Sequence, residues 1–136
     1  MLLGVALRYV VAPAPVPVAR MISVTGGLIV LGAGIVLAFA AEKHFIRTGQ
    51  SPMPWTPSPE LILQGPYRFT RNPMYVGMTL AQIGIGLAVN SLWIAGLALV
   101  TLLVIHFTAV LPEERYLAEK FGDSYEALRR KVRRYL

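Results

Sequence analysis

"NPMYVGMTLAQIGIGLAVNSLWIAGLALVTLLVIHFTAVLP", residues 72–112, runs for 41 positions without an Asp, Glu, Lys or Arg. A helix that crosses a bilayer needs about 20 apolar residues, so this stretch holds two. Asn90-Ser91, near its middle, is the natural turn. The reading is a helical hairpin over 74–111, with arms of about 17 and about 20 residues. Working outward, Met21–Ala41 supplies another 21 uncharged residues, enough for one more span. Glycines 26, 27, 32 and 34 would weaken a soluble helix, but in a membrane they let helices approach closely. Across all 136 residues the apolar fraction is 55% and the charged fraction only 15%, and mean hydropathy is +0.57. A small soluble domain carries less apolar material than this. The length fits a single domain.

The flanking segments complete an all-α integral membrane protein. Residues 2–11, "LLGVALRYVV", predict a short membrane helix that covers roughly half the hydrocarbon core. "APAPVP" (12–17) stops it, because alternating prolines remove donors and impose extended geometry. The opening residues lack a basic n-region, which argues against a cleaved signal peptide. Residues 42–64 form a polar connector, with five prolines between 52 and 66. After Pro112 the chain turns charged and periodic, with Leu117, Phe121, Tyr125, Leu128, Val132 and Tyr135 at spacings of three and four. This is an amphipathic helical tail that Gly122 divides, lying on the membrane or folded back over the connector.

Charge sets the expected topology. The connector through residue 71 carries Lys43, Arg47, Arg68 and Arg71, and the tail carries seven more basic residues. A two-span hairpin puts both segments on one side, which the positive-inside rule makes cytoplasmic. A pI near 10.1 then reflects an anionic membrane surface as partner rather than nucleic acid, since the basic residues flank apolar spans. With no cysteine in the chain, a disulfide framework and thiolate metal or catalytic chemistry are excluded.

Three polar elements meet on that face: the Pro-rich connector, "GPYRFTRNPMYVG" (65–77), and the pair Glu113-Glu114. Each has a plain structural explanation. Arg68 and Arg71 suit lipid anchoring, Asn72 suits a helix N-cap before Pro73, and the two acids suit a first helical turn. Together they form a pocket. Gly65-Pro66 and Asn72-Pro73 set turns around Tyr67 and Arg71, Tyr75 and Gly77 lie on the first helical turn, and Gly77 leaves clearance. Aromatic rings, hydrogen-bonding groups and a nearby carboxylate suit a cationic ligand that carries adenine.

"GPYRFTRNPMYVG", followed after the hairpin by "PEERYLAEKFGDSYEALRRKVRRYL", resembles the isoprenylcysteine carboxyl methyltransferase family in its short prokaryotic form, whose broader relatives are the phospholipid methyltransferases. The specific motifs cover about residues 60–136. The resemblance implies S-adenosylmethionine as methyl donor, with no metal, bound at the cytoplasmic face of an inner membrane beneath the tail. It places the donor on Leu61, Ile62, Tyr67, Asn72, Pro73, Tyr75 and Glu113, and Arg71, Gly77 and Glu114 complete the candidate set. One domain results: membrane helices over 1–41, a loop with the cofactor motif over 42–73, the hairpin, and a cytoplasmic tail over 112–136. The sequence departs from the family at two points. Asn72 stands where the family has histidine before proline, and "FTAVLP" (107–112) lacks the arginine that eukaryotic-type members use for the substrate carboxylate. Arg134 is the candidate to replace it.

The implied reaction is methyl transfer to a lipophilic acceptor that enters from the bilayer, as in isoprenylcysteine O-methylation. Amine methylation of a phospholipid and methylation of a small thiol are alternatives within the same chemistry. A non-enzymatic membrane subunit that keeps the fold is the alternative outside it. His106, deep in the last span, and the Gly84-Ile85-Gly86 element are given no role.

Overall fold

The computed structural model describes residues 16–49 and 61–136. The short helix expected over 2–11 and most of the proline-rich connector lie outside the described residues. Among the described residues every element is helical, and the one exception is a single parallel bridge between Thr70 and Arg133. Helix α1 spans Arg20–Arg47, beyond the uncharged core of Met21–Ala41 at both ends. A 3-10 turn, Gly65–Arg68, leads into α2, Pro73–Ala88. Helix α3, Leu92–Ile105, passes through a π turn, His106–Val110, into α4, Leu111–Phe121, and α5 comes last over Asp123–Lys131.

Helices α1 and α2 are held backbone against backbone. Gly27 and Gly34 on α1 face Gly84 and Gly77 on α2. A methyl group at Gly27 would lie 2.7 Å from the Gly84 carbonyl oxygen, and one at Gly84 would lie 2.7 Å from the Gly27 oxygen. The other pair repeats the arrangement: Gly34 would meet the Gly77 oxygen at 2.6 Å, and Gly77 the Gly34 oxygen at 2.7 Å. Both glycine pairs are seven residues apart along their helices, so each recurs on the same face two turns later. With side chains absent, dispersion contacts between the two backbones replace the usual ridges and grooves. Ser23 adds a polar tie at the far end, its hydroxyl donating to Leu87 O at 2.7 Å.

The turn between α2 and α3 falls where the sequence predicts it. Asn90 adopts φ +59°, a left-handed conformation that asparagine tolerates. Ser91 N–H donates to Gly86 O at 2.7 Å, and the chain entering α1 donates Val16 N–H to Asn90 Oδ1 at 3.0 Å. Gly86 then lets Ala95 pack against its backbone.

Pro112, expected to begin a separate tail, does not interrupt the helical path. In the π turn, Leu111 N–H bonds back to His106 O, five residues earlier. Pro112 therefore falls in the first turn of α4, where its missing N–H costs little. The path ends instead at Gly122, which takes φ +49°, as the sequence predicts.

Arg20–Arg47 and Leu92–Phe121 are each long and apolar enough to cross a membrane. At about 1.5 Å per residue, α2 covers about 24 Å, less than the roughly 30 Å hydrocarbon core. The outer faces are unusually greasy for exposed surface: Met21, Ile29, Val36 and Phe39 on α1, and Trp93, Leu99, Leu103 and Phe107 further on, are all exposed. The hydroxyls on that surface are satisfied within their own helix, Thr101 to Leu97 O at 2.9 Å and Thr108 to Val104 O at 2.7 Å. Side chains of this kind suit hydrocarbon as solvent.

Replacing Gly84 with valine should lower thermal stability in detergent by about 1–3 kcal/mol, through overpacking against α1. The same change at Gly96, where nothing lies within 4 Å, should stay within about 0.5 kcal/mol. Equal effects at the two positions would contradict the helix contact.

Candidate functional site

The motif begins with Leu61 and Ile62, half-buried in irregular backbone. Gly65 then turns the chain with φ +58°. Glycine suits this left-handed position, and a Cβ here would require the His44 imidazole to move. His44 is itself oriented by donation from Nδ1–H to Ala40 O at 2.7 Å. The 3-10 turn closes through Tyr67 N–H to Gln64 O and Phe69 N–H to Pro66 O. It delivers Tyr67 into the interior, where its ring packs against Phe45 of α1 with centroids 5.6 Å apart. Thus the end of α1 is the platform on which the motif rests.

The tail folds back and pairs with the motif. Arg71 N–H donates to Arg133 O at 2.9 Å, Thr70 Oγ1 donates to Arg134 O at 3.1 Å, and Asn72 Nδ2 reaches the same carbonyl at 2.9 Å. Asn72 therefore occupies the N-cap position of α2 without its side chain capping the helix. Its amide nitrogen is spent on the tail.

Glu114 is the hub of this junction. Arg134 binds it through both oxygens, Nε to Oε1 and Nη2 to Oε2, each at 2.8 Å. Arg71 Nη1 lies 3.1 Å from Oε1, and it also donates to the Tyr125 hydroxyl at 3.1 Å. The Glu114 and Arg71 side chains are only 13% and 11% exposed, so the pair is desolvated and held by a bidentate partner. Arg71 Nε is buried with no hydrogen-bond partner among the described residues. The Tyr125 hydroxyl is pushed upward in pKa by burial and then by Glu114, and Arg71 partly offsets this.

Glu113 faces elsewhere. Among the described residues it has no ion-pair partner, and it lies within electrostatic range of both Tyr67 and Tyr75. Burial, with the Glu113 charge second, drives the Tyr67 phenol far above its ordinary value, so it stays a neutral donor.

The eleven residues singled out in the sequence thus divide into groups. Tyr67, Tyr75 and Glu113 gather into one cluster, with buried Pro73 starting the helix beneath Tyr75. Arg71, Glu114 and Arg134 bind one another, and Asn72 joins them through the Arg134 carbonyl. Gly77 is filled on its open side by the backbone of α1, at Gly34 and Ala38. Four contributors are not among the site residues of the sequence reading: Thr70, Tyr125, Tyr135 and His44. Tyr125 is marked in the sequence by its place in the three-and-four spacing of the tail, which shows a buried face but not its hydrogen bond to Arg71. Tyr135 donates to or accepts from His106 Nδ1 at 2.7 Å, a pairing 29 residues apart that no local pattern shows.

A family model described as phospholipid methyltransferase matches residues 22–124. The chain belongs to the phospholipid methyltransferase family. The matched region contains the glycine interlock, the motif and the acidic pair, and it stops before Tyr125, Arg134 and Tyr135. Searches of curated proteins and of solved structures returned no match. Phospholipid methyltransferase family membership brings with it methyl transfer to lipophilic substrates, with the acceptor left open.

Within this family member, Glu114→Ala should cost about 3–5 kcal/mol, because it strands a buried arginine. Glu126→Ala breaks an ion pair exposed at 43% and 44% and should leave the unfolding temperature nearly unchanged, since solvent screens such a pair. Thermal unfolding in detergent checks both outcomes.

Proposed function

We propose that the chain transfers the methyl group of S-adenosylmethionine to a lipophilic acceptor at a membrane surface. The observation that carries this reading is the cluster of Tyr67, Tyr75 and Glu113, a partly buried carboxylate without a cationic partner among the described residues, beside two tyrosines. A sulfonium is a cation that such a carboxylate attracts, and the aromatic rings offer faces and hydroxyls to an adenine. Leu61, Ile62 and Pro73 supply apolar wall. Arg71, Asn72 and Glu114 act indirectly, by fixing the tail over the motif. Gly77 contributes by letting α1 and α2 meet.

Transfer from a sulfonium is an in-line displacement, so the protein's task is alignment of the acceptor behind the methyl carbon. A membrane-threshold position lets donor arrive from water and acceptor from lipid. The proposed topology has three spans in the described region, α2 being the shortest and accommodated by local bilayer thinning. The loop and tail share the cytoplasmic face of an inner membrane, which is where the positive-inside rule puts their basic residues. The domain is single, with the boundaries the sequence suggests.

Calorimetry in detergent with S-adenosylmethionine or S-adenosylhomocysteine tests the reading. Wild type should bind both. Tyr75→Ala and Glu113→Ala should each weaken binding tenfold or more, the size of a lost contact to charge of about 1.5–3 kcal/mol. Absence of binding in a folded wild-type protein would refute the proposal.

A further inference from the structure

The tail makes one polar contact that its own anchoring does not require. Helix α5 ends at Lys131, and Val132 follows in extended conformation with its side chain buried. Arg71 and Thr70 then hold the carbonyls of Arg133 and Arg134, and the Arg134 guanidinium grips Glu114 through both oxygens. These bonds fix residues 133 and 134 without help from the residue that follows. Tyr135 nevertheless reaches across to the π turn, where its hydroxyl lies 2.7 Å from His106 Nδ1. The two ring centroids are 5.9 Å apart, with the planes tilted by 50°. Phe107 packs edge-on to the same imidazole at 5.1 Å.

A phenol–imidazole bond adds little net stability, because both groups give up water to make it. An ionisable ring on a helix whose neighbours Leu103 and Phe107 face outward is costly to keep, and marks a candidate functional position. The surroundings of Tyr135 point to the donor cluster. Its chain neighbours are pinned to residues 70–72, immediately before Pro73 and Tyr75, and Tyr135 lies within electrostatic range of Tyr75. Burial pushes the Tyr135 phenol above its ordinary value, which the Arg134 charge offsets in part, so the group stays an uncharged hydroxyl. Tyr135 also falls beyond the matched residues 22–124, so family membership assigns it nothing.

We infer that Tyr135 is a further residue of the donor pocket, its ring walling the pocket beside Tyr75 and its hydroxyl held in place by His106. The inference rests on the methyl-transfer reading and deepens it with a residue that the motif does not contain. His106 acts through Tyr135 and is therefore a positioning residue. Without the hydrogen bond the phenol is free to turn about its side-chain torsions. With it, the ring is a preformed aromatic surface for a sulfonium or an adenine, and binding does not have to order it. His106 also opens the π turn that leads into Leu111 and the acidic pair. One short segment thus sets both the Glu113 carboxylate and the aromatic wall.

Calorimetry on the full chain in detergent with S-adenosylhomocysteine tests the inference, with the unfolding temperature read for every variant. Tyr135→Phe keeps the ring and removes the bond, and should raise Kd about five- to tenfold, the size of one lost hydrogen bond. His106→Leu should match it, and the double variant should bind no more weakly than either single one, because the two residues act as a unit. His106→Asn, whose amide can still bond the phenol, should recover part of the affinity. Leu136→Ala, at an exposed neighbour, should leave Kd unchanged. In wild type with isotope-labelled tyrosine, the NMR signal that Tyr135→Phe lacks should shift when S-adenosylhomocysteine binds, a response that a purely structural contact would not give. Wild-type Kd in both single variants, additive losses in the double variant, or a Tyr135 signal that the ligand leaves in place would overturn this inference alone. Failure of the folded wild type to bind S-adenosylhomocysteine would overturn the methyl-transfer reading and this inference with it.

Discussion

The contact on which the structure depends is the approach of two backbones at Gly27–Gly84 and Gly34–Gly77. Inside a bilayer, helices gain nothing by hiding apolar side chains from one another, since lipid tails are equally apolar. What remains is van der Waals contact, which falls off within an ångström of the best separation. Removing four side chains lets α1 and α2 reach that separation along two helical turns. The motif is then positioned twice over, by its own helix α2 and by the end of α1 beneath Tyr67. Any change that spread the glycine pairs apart would move both supports in opposite directions.

A second organising element is electrostatic. Glu114 gathers one arginine from the motif and one from the tail, and Tyr125 completes the Arg71 side. A buried ion pair is a poor source of net stability, because desolvating the charges consumes most of the attraction. Its value lies in register: the bidentate geometry of Arg134 accepts only one placement of the tail. Backbone pairing of residues 70–71 with 133 and the His106–Tyr135 hydrogen bond point the same way. The neighbouring acid Glu113, one residue earlier, is thereby left without a countercharge among the described residues. Two adjacent carboxylates on one helix serve different ends because consecutive side chains diverge by about 100°.

Much of the helical framework is legible in the sequence. Uncharged runs locate α1 and the α2–α3 pair, Asn90 marks the turn, and Gly122 marks the end of α4, since each rests on composition or on a conformation few residues accept. The path through Pro112 was not legible, because proline ordinarily ends a helix and the π turn that absorbs it has no local signature. Gly77 illustrates a different limit. A glycine reveals that space is needed, but not whether a ligand or another helix fills it. Arg134 fared similarly: its charge is plain in the sequence, whereas its partner lies 20 residues away and is reached only once the tail folds back.

The π turn at His106–Val110 also sets the rotational phase of α4. Such a turn contains one residue more than an α-helix would use to climb the same distance. That extra residue rotates every later position by roughly 100° about the helix axis. Glu113 and Glu114 owe their inward aim to this offset: in an uninterrupted α-helix of the same sequence, both acids would swing to another face. The insertion thus behaves as a phase correction, joining a lipid-facing helix to a polar junction within one continuous helical path.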